Sequence, residues 1–340
     1  MKQRDSNIEL LRIITTLFIL ILHCNGWFLK EWGGITCWNT GSSLVAGCRI
    51  LIQNITVLGV DAFILISGFY GIRPKLKSII NLFTLLLFFY VGCYLWECVL
   101  GKTFTWNELK INLLAFSRTN WFISGYLFLT LLSPIINAFV ESTTIRKLGL
   151  YTFVFCLVTL YFGYYMGNEY WYYNHAYSVT MMIGVYLVGS FLNKISDKIE
   201  KFKYWHIVLA FVGIIGIMSL IRILSSNEES WLNYGSPITI LASVLLFLLF
   251  YKLPKFHSKF INWVAVSCLA SFILHTCEPV FSWFVQKDVM YFTNEPYLIY
   301  CIKIGVVILG IFFTAILLDK VRLLIFNPII SLSGKIKFLN

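Results

Sequence analysis

The sequence predicts an all-α, polytopic membrane protein with about ten transmembrane helices, both termini in the cytoplasm, and residues 1–340 forming a single domain. Of the 340 residues, 59% are hydrophobic and 13% are charged, which leaves too little polar surface to cover a soluble globule. Apolar runs recur along the chain, and most are long enough to cross a hydrocarbon core about 30 Å thick. The runs lie near 8–27, 50–70, 78–100, 121–140, 149–166, 177–193, 204–223, 235–251, 261–284 and 298–318.

The predicted orientation follows from the basic residues. Most of the 27 lysines and arginines fall on the side of the N-terminus, and such residues are enriched in cytoplasmic loops. The net charge of +11 reflects this asymmetry and contact with anionic lipid headgroups, so it indicates no nucleic-acid partner. Cys37 and Cys48 flank the first outer loop and could form a disulfide in an oxidising compartment. No metal-ligand spacing is present among the cysteines, and no metal site is predicted.

The first span, ELLRIITTLFILILHCNG, carries Arg12 and His23 with ten residues between them. Eleven helical steps make about three turns, so the two side chains face the same way, about 16 Å apart along the axis. Ionisable groups in a membrane span are costly and indicate a substrate path or chemistry. The alternative for His23 is a histidine that packs between helices and bonds to a backbone carbonyl.

The second span carries Asp61 near the predicted bilayer centre, where a carboxylate needs a partner. On depth alone Arg12 can supply it, and a purely structural ion pair is the alternative to a role in chemistry. Arg73, Lys75 and Lys77 follow this span. They could be ordinary cytoplasmic anchors or a basic cradle for phosphate groups that arrive from the cytosol.

Polar and aromatic residues also mark the outer half of the predicted bundle. In the ninth span Glu278 lies three residues after His275, which would place both on one helix face. The pair could orient His23 or bind a sugar, and a merely satisfied buried histidine is the alternative. Asn120 and Trp121 precede the fourth span at the outer mouth. Aromatic rings there could stack on pyranose faces or belong to an interfacial belt.

Five sequence blocks together resemble the acyltransferase-3 family of integral-membrane O-acyltransferases. These are Arg12 with His23, GVDAFILISGF at 59–69, NWFISGYLFLTLLSPIIN at 120–137, MMIGVYLVGSFL at 181–192 and SFILHTCEPV at 271–280. The resemblance implies about ten spans and transfer of an acyl group, usually acetyl, from cytosolic acyl-CoA to a hydroxyl of a surface or lipid-linked saccharide. The third block resembles members that act on bacterial surface polysaccharides, which implies a bacterial cytoplasmic (inner) membrane.

The implied reaction assigns a role to each candidate residue. His23 is the expected general base, and Arg12, which stays protonated, is expected to position the coenzyme or its thioester. Acetyl-CoA is a co-substrate, and no permanently bound cofactor is expected. The expected coenzyme contacts are Arg73, Lys75, Lys77 and Ser67, and the expected saccharide contacts are Asp61, Asn120, Trp121, His275 and Glu278.

The chain departs from the family pattern at two places. Members often have two arginines three residues apart after the second span, whereas this chain has Arg73, Lys75 and Lys77 around a proline. In the ninth span Phe272 and Ile273 precede Leu274 and His275, where a tyrosine is usual. A carrier or flippase for a glycan or lipid intermediate is the main alternative function. A haem protein ligated by membrane histidines is a third class.

Overall fold

The computed structural model describes residues 5–29, 43–114, 121–162, 166, 176–224 and 232–334. Within these ranges the chain is helical and has no β-strand, so the predicted all-α class is confirmed. The helices are α1 Ser6–Leu22, α2 Ser43–Thr56, α3 Leu58–Tyr70, α4 Leu76–Val99, α5 Trp106–Leu113, α6 Trp121–Ser142, α7 Ile145–Leu160, α8 Val179–Lys194, α9 Ser196–Ile199, α10 Tyr204–Leu224, α11 Pro237–Tyr251, α12 Lys259–Ala265, α13 Cys268–Thr276, α14 Glu278–Asn294 and α15 Tyr297–Ser333.

Seven helical segments in the described ranges are long and apolar enough to cross a membrane. They are Ser6–Phe28, Ser43–Tyr70, Leu76–Val99, Trp121–Ser142, Tyr204–Leu224, Lys259–Thr276 and Tyr297–Ser333. Helices α8 and α11 are apolar but shorter. A multi-pass membrane protein is therefore confirmed, while the count of ten spans, the cytoplasmic termini and the single domain stay predictions.

Two compact units make up the structure. The first unit contains Met1–Arg73 and Trp121–Asn262, and the second contains Pro74–Asn120 and Trp263–Asn340. Helix α3 forms the centre of the first unit, because α8, α11 and α1 all pack against it. Ten of its 13 residues are buried, Asp61 among them.

Two glycines allow the close contact between α3 and α8. A Cβ atom added at Gly68 would lie 2.1 Å from the backbone oxygen of Tyr186, and one at Gly189 would lie 2.5 Å from the oxygen of Leu65. The hydroxyl of Ser190 also donates to the Gly68 oxygen over 3.1 Å. Small residues are the usual means by which helices in a membrane bring their backbones together.

We expect Gly68→Ala to destabilise the first unit strongly, because the added methyl group meets backbone that cannot move aside. The cost should reach or exceed about 3 kcal/mol, the upper end of typical overpacking. Thermal unfolding of the purified protein in detergent measures it. Gly213→Ala is the matched control, since a Cβ there meets nothing within 4 Å and alanine favours a helix. Equal melting temperatures for the two variants would contradict the tight contact.

The second unit contains α4, α5, α13, α14 and α15 and has a buried ion pair on α15. Arg322 Nε lies 2.7 Å from Asp319 Oδ1, and both side chains are about 2% exposed. The remaining contacts of the pair are to Asn81, Thr84 and Ser267. Helix α15 has 37 residues, about 55 Å at 1.5 Å per residue.

The predicted ninth run, 261–284, is not one helix, which corrects the sequence interpretation. Helix α13 ends at Thr276, Cys277 has extended backbone with φ −72° and ψ 135°, and α14 begins at Glu278. Pro279 stands in the first turn of α14. Proline fits a first turn because its missing N–H has no partner there in any case. The apolar pattern continues across the break and so conceals it.

Candidate functional site

Arg12 lies near the start of α1 and is bound by a neighbour that the sequence analysis did not single out. Its Nη1 atom lies 2.7 Å from Glu9 Oε1, one helical turn earlier. The Glu9 side chain is 5% exposed, whereas that of Arg12 is 29% exposed. Glu9 therefore holds the guanidinium from the protein side and leaves part of it accessible. The i, i+3 spacing of Glu9 and Arg12 was the available signal in the sequence.

His23 lies at the other end of the same helix, where the α-helix changes into a π-helical turn spanning His23–Phe28. Its ring is half-buried and contacts Trp27 edge-on, with the ring centroids 5.1 Å apart. Turns of this kind are rare and often occur at functional sites. Since α1 is regular from Ser6 to Leu22, Arg12 and His23 are about 16 Å apart along its axis.

A second missed residue, Arg49 on α2, binds the π-helical turn. Its Nη2 atom donates to the backbone oxygen of Asn25 over 2.9 Å. The side-chain Nδ2 of Asn25 donates in return to the backbone oxygen of Arg49 and to Gln53 Oε1, each over 3.0 Å. Arg49 is 1% exposed. Buried charge in a span is costly, so this arginine is placed to hold the backbone that follows His23.

Asp61 does not pair with Arg12, which corrects the sequence expectation. Gly59 faces α1, because a Cβ there would come within 2.8 Å of the Thr15 oxygen. Asp61 follows two residues later, rotated by about 200°, and so points away from α1. Asp61 is fully buried, and its Oδ2 accepts a long 3.4 Å bond from the Gly235 amide. Its Oδ1 has no hydrogen-bond partner in the described part of the chain.

The structure brings Trp121 close to the segment that contacts Asp61. The Trp121 ring centroid lies 5.0 Å from that of Tyr177 and 5.7 Å from that of Tyr234. Tyr234 immediately precedes Gly235, whose amide reaches Asp61. Three aromatic rings thus cluster next to the segment that contacts the buried Asp61. Tyr234 was not predicted, because aromatic residues are frequent along this sequence and their spacing gives no signal. Asn120 lies outside the described residues.

The backbone after α3 is held by a closed ring of hydrogen bonds. The Ile72 amide donates to the Tyr186 hydroxyl over 2.9 Å, and that hydroxyl donates to Asn137 Oδ1 over 2.7 Å. Asn137 Nδ2 then donates to the Ile72 oxygen over 2.8 Å. The next residue, Arg73, is exposed. Tyr186 and Asn137 therefore fix the backbone from which this cationic side chain extends.

We expect Tyr186→Phe to loosen that segment without changing the helix contacts. The substitution removes one acceptor and one donor and leaves the Ile72 amide without its partner, at a cost of about 1–2 kcal/mol. Thermal unfolding and the KM for acetyl-CoA, the co-substrate that the family resemblance implies, measure the effect, and we expect a lower melting temperature and a higher KM. Tyr204→Phe, at an exposed position on α10, should change neither. If Tyr186→Phe has the melting temperature and the KM of the wild type, the hydrogen bonds of the Tyr186 hydroxyl do not stabilise this segment.

The remaining predicted coenzyme contacts lie on both units. Ser67, on α3 of the first unit, is half-buried, and its hydroxyl lies 3.1 Å from that of Tyr126. Lys75 and Lys77 belong to the second unit, where both side chains are exposed at the start of α4. All three predicted basic residues, Arg73, Lys75 and Lys77, are thus exposed.

His275 and Glu278 belong to the second unit but not to one helix, which corrects the expectation of a shared face. His275 is fully buried near the end of α13, and its Nδ1 lies 3.0 Å from the Ser271 oxygen. Glu278 begins α14 beyond the break, is exposed, and accepts from the Ser282 hydroxyl over 2.8 Å. His275 therefore has the geometry of a buried histidine that bonds to a backbone carbonyl. His275 and Glu278 do not share a helix face, because the helix is broken between them.

Within the described ranges, no group of three or more His, Cys, Asp or Glu side chains is arranged to hold a metal ion. Cys48 is a free thiol, and its suggested partner Cys37 lies outside the described residues. The described side chains of the first unit include a partly exposed guanidinium, an imidazole at a π-helical turn, and hydroxyl and aromatic groups.

These features define a multi-pass helical membrane protein that carries ionisable groups within its spans. The acyltransferase-3 family model, described as an acyltransferase domain, matches residues 5–318. The chain therefore belongs to this family and is a membrane acyltransferase, as its five sequence blocks indicated. No curated protein and no solved structure matches the chain.

Proposed function

We propose that this acyltransferase moves an acetyl group from cytosolic acetyl-CoA to a hydroxyl of a cell-surface or lipid-linked saccharide. The protein would act in the cytoplasmic membrane of a bacterium. The observation that supports this most is the placement of Arg12 and His23 at opposite ends of one regular helix. That helix joins a cation accessible near one membrane surface to a proton acceptor about 16 Å deeper.

The proposed reaction uses these two groups in different ways. Neutral His23 removes the proton from the acceptor hydroxyl as the oxygen attacks the thioester carbonyl. The carbon–sulfur bond then breaks, the ester forms, and the imidazolium returns its proton to the leaving thiolate. Arg12 holds the coenzyme through its phosphates, because a guanidinium makes strong paired hydrogen bonds to phosphate oxygens.

The other candidate residues are proposed as substrate contacts. Arg73, Lys75 and Lys77 are exposed and cationic, which suits the phosphates of the coenzyme, and Ser67 is proposed as a further coenzyme contact. Trp121, with the neighbouring Tyr177, offers aromatic faces on which a pyranose could stack. Asp61, Asn120, His275 and Glu278 stay proposed contacts of the saccharide.

Acetyl transfer by the purified protein in proteoliposomes tests the proposal. Radiolabelled acetyl-CoA is the donor, and the acceptor is the surface-glycan and lipid-linked-glycan fraction of a strain that lacks this gene. We expect label to appear in the saccharide and to be released again by mild alkali, which cleaves an O-ester. Unlabelled saccharide that nevertheless crosses the bilayer would contradict the acyltransferase proposal for this substrate and favour a carrier.

A further inference from the structure

An aromatic cluster lies beside Arg12, at the ends of α3 and α11, and its residues have no role in the reaction proposed above. The buried Phe69 ring contacts two tyrosines edge-on, with centroid distances of 5.1 Å to Tyr70 and 5.1 Å to Tyr251. Phe247 stacks against Tyr251 with its centroid 5.8 Å away. Two residues of the core thus support two tyrosine rings at the surface of the first unit.

These tyrosines are accessible and lie close to charge. Tyr70 is 50% exposed although ten of the other residues of its helix are buried, and Tyr251 is partly exposed. Arg12, Glu9 and Asp5 are close enough to Tyr70 to interact with it electrostatically. The Asn7 amide also donates to the Phe250 oxygen over 3.0 Å, which joins the start of α1 to the end of α11. The rings and the guanidinium therefore share one side of the membrane.

An interfacial aromatic belt also places tyrosines at such a depth, and Tyr204 on α10 is an example of that kind. Tyr204 is exposed next to Trp205, with the ring centroids 6.4 Å apart. What sets Tyr70 and Tyr251 apart is their shared support on Phe69, together with the electrostatic interaction between Tyr70 and Arg12. Rigid aromatic rings with a neighbouring cation suit a ligand that carries both a flat ring and phosphates.

We propose that Tyr70 and Tyr251 form the subsite for the adenine ring of the coenzyme, with Arg12 on its phosphates. This inference rests on the proposed acetyl-CoA donor. With adenine held at the tyrosines, the pantetheine arm extends inward along α1 from Arg12 towards His23, a rise of about 16 Å. An extended pantetheine arm is long enough for that rise, so its thioester reaches the depth of the imidazole.

Initial rates with two donors test the subsite. Acetyl-CoA and S-acetylpantetheine carry the same thioester, but only the first has the adenosine phosphates. We expect Tyr70→Ala and Tyr251→Ala each to lower kcat/KM for acetyl-CoA about tenfold through KM, as loss of one base-stacking contact does. The rate with S-acetylpantetheine should not change. Tyr70→Phe and Tyr251→Phe keep the ring and should keep most activity, and Tyr204→Ala is the matched control.

Three outcomes separate the possibilities. A parallel loss with both donors would show that the tyrosines only support the fold, and no loss with either would show that they do not contact the coenzyme; each overturns the subsite. If the wild-type protein transfers acetyl from neither donor, the proposed function fails. Binding of adenosine 3′,5′-bisphosphate to the wild type and to the Tyr70→Ala variant then decides the subsite by itself, with weaker binding expected in the variant.

Discussion

Replacing His23 with alanine is expected to abolish most acetyl transfer while the protein still folds and binds acetyl-CoA. Removal of a general base typically lowers the rate by about 10²–10⁴. The fold should persist because the imidazole is half-buried, and it contacts the Trp27 ring edge-on and the Phe28 ring at a tilt of 51°. The loss should appear in kcat, since the imidazole acts on the acceptor hydroxyl and not on the coenzyme phosphates. Steady-state rates at saturating acetyl-CoA measure it.

His206→Ala is the matched control for His23→Ala. His206 lies in the exposed first turn of α10, where a histidine has no proposed role, so its loss should leave the rate unchanged. A wild-type rate in His23→Ala would refute the proposed base. A His23→Ala variant that melts much earlier than wild type would instead assign the histidine to the packing of the π-helical turn.

Replacing Arg12 with glutamine is expected to raise the KM for acetyl-CoA about 10- to 100-fold. A charge-assisted hydrogen bond is worth about 1.5–3 kcal/mol, and glutamine keeps much of the volume without the charge. Arg12→Lys should recover part of the affinity, because an ammonium retains the charge but not the paired geometry. Glu9→Gln should have a smaller effect in the same direction, since it weakens the 2.7 Å contact that orients the guanidinium.

Arg146→Gln serves as the control for Arg12→Gln. Arg146 is exposed in the first turn of α7, and its loss should leave the KM for acetyl-CoA unchanged. If Arg12→Gln lowers kcat and leaves KM unchanged, the guanidinium acts on the reacting carbonyl and does not bind the phosphates. That outcome would also remove the phosphate contact from the proposed adenine subsite.

Fold class could be predicted from the sequence because membrane helices are encoded in long, continuous apolar runs. The first run, predicted at 8–27, corresponds to the apolar segment Ser6–Phe28, and the third, at 78–100, corresponds to Leu76–Val99. Such runs report length and composition, which are one-dimensional properties. The family could also be predicted from the sequence, since the resemblance rests on residue identities and not on geometry.

Local breaks and partners could not be predicted in the same way. The π-helical turn after Leu22 is contacted by Arg49, which is remote in the sequence and whose hydrogen bond to the Asn25 oxygen forms only in the folded unit. The Arg12 and Asp61 pair was inferred from depth along the membrane normal. Depth ignores rotation about the helix axis, and the rotation between Gly59 and Asp61 turns the carboxylate away from α1.

Helices α8 and α11, which both pack against the central α3, have consequences for the surrounding membrane. With 16 and 15 residues they are about 24 Å and 23 Å long, less than the hydrocarbon thickness of about 30 Å. Apolar segments that are too short are accommodated by thinning of the lipid or by recessed polar surfaces. The hydrophobic barrier is therefore expected to be thinnest around α3, which shortens the distance over which an activated acyl group and its acceptor must approach each other.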